Sequence, residues 1–455
     1  MKKLTLLGGG GVRSPFLAKV LAARAVNAGI GRVVFMDPDA EKLAVFGGIS
    51  RALLAKHAPE IDFELSTDAV KALAGADYII STLRVGGDEG RVKDERIALE
   101  MGLIGQETVG AGGFAMAMRS IPPLLAYCRL AKQHASPGAL MFNFTNPSGL
   151  VTQALRSAGY HNVYGICDSP PEQAHEFVRL LGLPPGETEV RCYGLNHLSW
   201  FPSIRHGGRE YIGDCLAHPR LCLDTEQRFF DPALLQSMGT LCNGYLYYYY
   251  YPDKAYAGIM AGGKTRGETV LETNRAMMAA MAGLELPRQL DRAAELFLQA
   301  YGERENNYMA IESGTKRQAV QLDLDPTRGA EGYAGVALDF IEAVNTGAPR
   351  RMYLSLPNNG AIPGLRDEDV IESSCVVDGG GPRADRHTGI PDENMGLILR
   401  VKAFERLAAE AIAERSLEKA ARALMNHPLV NSYSLGKRLA AAYVEAHAGF
   451  VGDWR

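Results

Sequence analysis

No apolar run in this chain reaches the length of a membrane span, and no long basic stretch appears. The first absence argues against a membrane protein. The second, with a net charge of −4 at pH 7, argues against nucleic acid or an anionic membrane as a partner. There is no internal repeat and no low-complexity tail. Cysteine is sparse and odd in number: seven residues, at 128, 167, 192, 215, 222, 242 and 375. With no secretory signal, reduced thiols and a cytoplasmic location are expected. The opening Met-Lys-Lys-Leu-Thr-Leu-Leu is basic and then apolar, but the apolar stretch stops at Gly8, too short for a signal peptide and better used as a strand. At 47% hydrophobic and 22% charged over 455 residues, the composition suits a globular enzyme of two or three domains, or two lobes around one site.

Residues 4–37 form a unit whose parts occur in a meaningful order. A short apolar strand, Leu4–Leu7, runs into Gly8-Gly9-Gly10-Gly11, then Val12 and Arg13. Helical apolar spacing follows from Phe16 to Val26, and a second buried strand, Val33–Met36, ends in Asp37. Glycines there let the backbone approach a pyrophosphate, and the helix start offers it free N–H groups. An acid closing the second strand accepts hydrogen bonds from a ribose diol, which favours NAD over NADP. The plainer reading is an ordinary strand-to-helix turn, and Arg13 is a cation that could meet a 2′-phosphate.

The alternation of strands and amphipathic stretches continues to about residue 195, the pattern of a parallel sheet covered on both faces. Further strands are predicted at Tyr78–Ser81, Leu140–Asn143, Val163–Ile166 and Glu189–Tyr193, with helices over Ile121–Lys132 and Pro171–Leu181. Residues 200–250 carry few regular signals, whereas 270–301, 332–346 and 393–426 are strongly helical; 360–364 and 378–382 are turn-rich. The expected architecture is α/β: a Rossmann-like doubly wound N-terminal domain, residues 1–195, and a mixed, mostly helical C-terminal lobe, residues 196–455.

Open parallel sheets bind ligands beyond the carboxyl ends of their strands. Polar residues follow each predicted strand there: Arg84 after the third, Asn146 after the fourth, Cys167 and Asp168 after the fifth, Asn196 and His197 after the sixth. Cys167 and His197 could supply a thiolate and an imidazole to a transition metal, leaving other positions open. A Ser169 cap with Pro170 behind it would start a helix whose positive end favours the thiolate. Equally, Cys167 could be a small core residue and His197 a satisfied loop histidine. The run Tyr245–Tyr251 contains a tyrosine base only if a cation or metal lowers its pKa, and otherwise reads as aromatic packing. Arg84, Arg91, Arg96, Arg119 and Arg266, if clustered on loops at a cleft, would suit a phosphate or carboxylate.

Taken together, the motifs resemble glycoside hydrolase family 4. They are Arg84-Val85-Gly86-Gly87, Asp94-Glu95-Arg96, Gly102–Thr108, Asn146-Pro147, Cys167-Asp168-x-Pro170, Gly194-Leu195-Asn196-His197, Tyr245-Leu246-x-Tyr248-Tyr249 and Pro357–Ile362, spread over residues 3 to about 446. The resemblance implies a fold like lactate and malate dehydrogenases, and a glycosidase that uses NAD and a divalent metal, usually Mn2+. It implies oxidation of the sugar at C3, loss of the C2 proton to a base, elimination of the C1–O bond, addition of water, and return of the hydride. By motif, Cys167 and His197 become metal ligands, Tyr245 the base and Asp168 the acid for the leaving oxygen. Gly8–Gly11, Val12, Arg13 and Asp37 become the nucleotide site. Arg84, Arg91, Asn146, Asn196 and Arg266 become the substrate contacts. The implied partner is a small acidic glycoside, a 6-phospho-glucoside, and a homodimer or homotetramer is expected.

Within the family the anomer is contested: Asp168 and Tyr245–Asp253 look like the phospho-α pattern, Asn143–Gly149 like the phospho-β one. Arg304-Glu305-Asn306-Asn307-Tyr308 departs from the segment usual in phospho-β members, so a glucuronide or sulfoquinovoside stands as an alternative substrate. Two rivals differ more: a sugar or 2-hydroxyacid dehydrogenase, which would release NADH and need no metal thiolate, and a non-catalytic NAD sensor, which would have no use for Asp168, Tyr245 and both metal ligands.

Overall fold

A computed structural model describes residues 1–316, 322–328 and 331–455. In it, the strands of the described residues belong to one sheet. Six parallel strands come from β1 (Lys2–Leu7), β2 (Ile30–Met36), β3 (Asp62–Ser66), β4 (Tyr78–Ser81), β5 (Leu140–Asn143) and β6 (Val163–Gly165). Their order, β3-β2-β1-β4-β5-β6, is that of a doubly wound nucleotide-binding sheet. Register carries the two-sided burial. Leu4–Leu7 lie opposite Val33–Met36 on one side and Tyr78–Ser81 on the other. Along β2, Val33 and Phe35 enter one core while Val34 and Met36 enter the other. Strands buried on both faces read as unbroken apolar runs, which is why β1, β2, β4, β5 and β6 stand out in the sequence.

The sheet does not stop at residue 195. It continues beyond β6 through β11 (Arg350–Pro357) and β12 (Val370–Asp378), then β7 (Glu189–Leu195), β8 (Leu198–His206) and β10 (Leu241–Cys242), all antiparallel. Short β9 (Arg209–Glu210) and β13 (Gly381–Ala384) hang on β8 and β12. The C-terminal lobe is helical in its bulk, but six of the strands, β8 to β13, also lie beyond residue 195. Buried polar residues hide them. On β12, Glu372, Ser373 and Ser374 break the apolar pattern, and distant partners satisfy them: Ser199, His387 and Asp385.

Helix boundaries also moved. The helix expected over Ile121–Lys132 begins at Gly110 and runs to His134. In its first turn a Cβ on Gly112 would sit 2.3 Å from the Gln106 carbonyl oxygen, so glycine there permits the close passage of that segment. The stretch expected at 270–301 is two helices, Arg266–Met281 and Leu290–Asn306, and that at 393–426 is Asp392–Glu414 and Leu417–Asn426. Among the described residues no helix is long and apolar enough to cross a membrane.

Candidate active site

A cavity of about 1160 Å³ lies over the carboxyl ends of the parallel strands. One end is the glycine turn after β1. Gly8 has φ +99°, and a Cβ there would lie 2.7 Å from Thr82 Oγ1, so only glycine lets this turn pass β4. Gly10 N–H donates to Asp37 Oδ2 at 3.0 Å, and Asp39 N–H holds Oδ1 at 3.0 Å, so the carboxylate is pinned at the cavity wall. Burial raises the Asp37 pKa against those two donors. The N–H groups of Val12 and Arg13 make no hydrogen bond among the described residues and precede the helix Ser14–Arg24. Unmet N–H groups at a helix start beside a pinned acid fit a dinucleotide. Gly8, Gly10, Gly11, Val12, Arg13 and Asp37 all line the cavity. Gly9 does not; a Cβ there would lie 2.7 Å from Phe35 Cβ, so it serves packing on β2.

Arg13 does not sit beside Asp37. Its guanidinium crosses to Asp168, with Nη1 2.5 Å from Oδ2, and lies over the Phe144 ring at 5.1 Å. The residue that stood against NAD in the sequence is thus occupied with the proposed acid.

Cys167 leaves β6 at the start of the helix Ser169–Leu180; His197 occupies the two-residue turn joining β7 to β8. His197 holds φ +63°, an uncommon backbone for a side chain this size, so the fold spends strain to aim it. Three residues earlier on β7, Gly194, φ +141°, admits the Leu198 carbonyl where a Cβ would be only 2.2 Å away. Cys167 Sγ and His197 Nε2 come to 3.8 Å, both buried. Burial, with Glu372 and Asp168 nearby, pushes the thiol well above its ordinary value, against the Ser169 N–H and Asn196. In the metal-free chain burial thus outweighs the helix start, which was expected to favour a thiolate. Nor does Ser169 cap: the cap position is Asp168, without a side-chain hydrogen bond, and the Ser169 hydroxyl accepts from Gln173 and Asn243. Burial likewise takes His197 down to about 4, against Asp168 and Glu107. The two side chains are buried and close, a thiol and an imidazole of the kind that ligate transition metals. The His197 ring lies flat on Tyr245, centroids 3.7 Å apart and planes at 4°. No group of three or more His, Cys, Asp and Glu side chains suited to a metal occurs among the described residues.

The expected arginines divide. Arg84, Arg91 and Arg266 line the cavity, as does Asn146; Arg96, Arg119 and Asn196 do not. None of Arg91, Arg96, Arg119 and Arg266 is on a loop: Arg91 and Arg96 belong to the helix Gly87–Glu100, Arg119 to Gly110–His134, and Arg266 opens its own helix. Arg96 pairs with Glu268; Arg119 is fully buried against Asp94, whose other oxygen meets His447 at 2.6 Å. Asn196 turns beneath the site, donating to Glu372 Oε1 at 3.0 Å.

Sequence reasoning assigned no role to Glu107, which bridges the first two arginines: Arg84 Nη1 at 2.5 Å and Arg91 Nη1 at 2.9 Å. Against its burial, they hold its carboxyl well below the usual range. It also assigned none to Tyr308, which hydrogen-bonds Tyr245 and lies under the Arg266 guanidinium at 5.0 Å. Arg304 lines the cavity as well, with its Nε buried and unpartnered among the described residues. All three stand within segments that carry the family resemblance or depart from it; their partners, not their neighbours, reveal them.

A dinucleotide cradle opening into a cavity with acid, imidazole, thiol and phenol defines a dehydrogenase-like α/β enzyme. Residues 3–183 match the family 4 glycosyl hydrolases and residues 192–430 the family 4 glycosyl hydrolase C-terminal domain, and the chain belongs to that family. A probable 6-phospho-beta-glucosidase of Bacillus subtilis is 28% identical over 458 residues, covering 99% of this chain and 97% of that protein. The structure of the Thermotoga maritima 6-phospho-beta glucosidase with manganese, NAD+ and glucose-6-phosphate matches with a TM-score of 0.81 at 27% identity, covering 99% of both chains. A 6-phospho-alpha-glucosidase from gut microorganisms, with NAD and glucose-6-phosphate, matches with a TM-score of 0.82 at 28% identity, covering 100% of this chain and 99% of that one. Malate and lactate dehydrogenases, at 10% and 12% identity and TM-scores of 0.50 and 0.52, share the fold alone.

Proposed function

We propose that this chain is an NAD- and manganese-dependent glycosidase acting on a glucoside with an anionic C6 substituent, a 6-phospho-glucoside. The observation that carries this reading is the Cys167–His197 pair, its imidazole stacked on Tyr245, in the same cavity as the Gly8–Asp37 cradle. Relatives named for the alpha and the beta anomer are equally near this chain, at 27% and 28% identity.

In this reading residues 1–195 supply the nucleotide cradle and part of the substrate side, residues 196–455 supply the rest of it, and the metal ligands come one from each. Bound NAD would supply reversible oxidation of a sugar hydroxyl, and a divalent metal would stabilise the negative charge that follows. The rest falls to this chain. Val12 and Arg13 N–H hold the pyrophosphate and Asp37 the ribose diol. Cys167 Sγ and His197 Nε2 hold the metal. Tyr245, once its own proton has passed to water and the phenolate is favoured by a cation beside it, would accept the C2 proton at that oxygen, with Tyr308 hydrogen-bonded to it. Asp168, paired with Arg13 as a carboxylate, would first take up a proton from water as that ion pair opens and then pass it to the leaving oxygen. Arg84, Arg91 and Arg304 line the cavity together, Arg304 with an Nε unpartnered among the described residues, and their guanidiniums would meet an anionic substituent in partial exchange for Asp88, Glu95 and Glu107.

The test is a screen of α- and β-nitrophenyl glucosides bearing phosphate, carboxylate or sulfonate at C6, with NAD and Mn2+. A 6-phospho substrate should be turned over at substoichiometric NAD, with no net NADH. NADH accumulating in step with product would identify a simple dehydrogenase instead.

A further inference from the structure

Gln106 and Thr108, on either side of Glu107, reach the imidazole from behind. Gln106 Oε1 accepts two backbone N–H groups, Thr108 at 2.5 Å and Val109 at 3.0 Å, at the entry to the helix Gly110–His134. Those donors fix which end of the amide is oxygen, because a flipped NH2 would face two N–H groups. The Thr108 hydroxyl lies 2.8 Å from the same Oε1. That oxygen only accepts, so the hydroxyl donates to it and spends its one hydrogen there. Thr108 Oγ1 also lies 3.1 Å from His197 Nδ1. With its hydrogen committed, it can only accept, so Nδ1 carries the proton. Nε2 then presents its lone pair toward Cys167 at 3.8 Å.

We propose that Gln106 and Thr108 are positioning residues that lock His197 as its Nδ1–H tautomer, leaving Nε2 ready to bind a metal ion. The inference rests on the reading that Cys167 and His197 hold the metal, but the tautomer itself is a property of the metal-free protein. The opposite tautomer would point a proton at the metal position, and ligation would first require moving it. The same hydrogen bond fixes the plane of the imidazole on which Tyr245 stacks.

The experiment labels histidine with 15N in the metal-free full chain and assigns the His197 imidazole as the signal lost in His197→Asn. The wild type should show the Nδ1–H pattern. Thr108→Ser, which keeps the hydroxyl, should retain it; Thr108→Val should lose it or mix the two tautomers. Mn2+ affinity, measured by EPR on the same proteins, should fall about 10–100-fold in Thr108→Val and recover in Thr108→Ser. NAD binding serves as the control for folding and should hardly change. An Nε2–H pattern in the wild type overturns the lock without any Thr108 variant. Wild-type tautomer and affinity in Thr108→Val overturn it too. Undiminished Mn2+ affinity in His197→Asn would instead refute the metal assignment while leaving the tautomer result standing.

Discussion

At Tyr245 burial and chemistry pull in opposite directions. Burial pushes its phenol above the ordinary value; the hydrogen bond with Tyr308 pulls down, and Cys167, Glu107 and Asp168 push up again. A phenol that starts near 10 acts as a base only beside a cation. The stack on His197 puts it beside the proposed metal ligand, where that cation would be. Tyr245→Phe should therefore cost about 10²–10⁴ in rate while NAD and Mn2+ affinities hardly change. Product formed by the native enzyme in D2O should carry deuterium at C2. An unlabelled C2 would defeat proton abstraction there, and with it the role of Tyr245.

Among the elements, β12 couples the site to the sheet extension. Its Glu372 accepts from Asn196 at 3.0 Å and from Ser199 Oγ at 2.9 Å, both on the β7–β8 hairpin that carries His197. Burial raises this carboxyl to about 7 despite those donors. Unfolded, it titrates near 4.3, so between about pH 4.3 and 7 the folded protein keeps a proton the unfolded chain has released. Its contribution to stability is full below that window and is lost as pH rises through 7, a change on the order of 3 kcal/mol. Glu372→Gln removes the titration while keeping the shape. Relative to wild type, its Tm should gain as pH rises from 5 to 8; a difference that stays constant across that range would contradict the assignment.

For the whole molecule, one cavity draws residues from Gly8, just after β1, to Phe450 near the C-terminus, so a ligand that fills it ties both halves of the chain together. Anything that binds only the folded state stabilises by mass action, about 2.7 kcal/mol at a hundredfold excess over Kd. NAD should raise the thermal midpoint, and NADP at the same concentration should raise it less, because its 2′-phosphate would meet the Asp37 carboxylate. Asp37→Ala should shrink the NAD shift and narrow the difference. Equal shifts with both nucleotides would remove Asp37 from the ribose site.

Wherever one stretch of chain carries its own reason, the sequence was sufficient. The strand, glycines, helix, strand and acid of residues 2–37 are legible because parallel strands buried on both faces leave continuous apolar runs and a tight turn demands glycine. The positions of Cys167, Asp168 and His197 were legible because ligand groups follow strand ends. The tertiary structure alone decided what depends on distant partners. It slots β11 and β12 between β6 and β7. It gives Arg13 to Asp168, 155 residues away, and sets Thr108 behind His197, 89 residues away. It pairs Arg84 and Arg91 with Glu107 and turns Asn196 out of the cavity. Local periodicity records which face of an element is buried, but a buried polar side chain is stable only against its particular partner, and that partner is chosen by the packing of the whole chain.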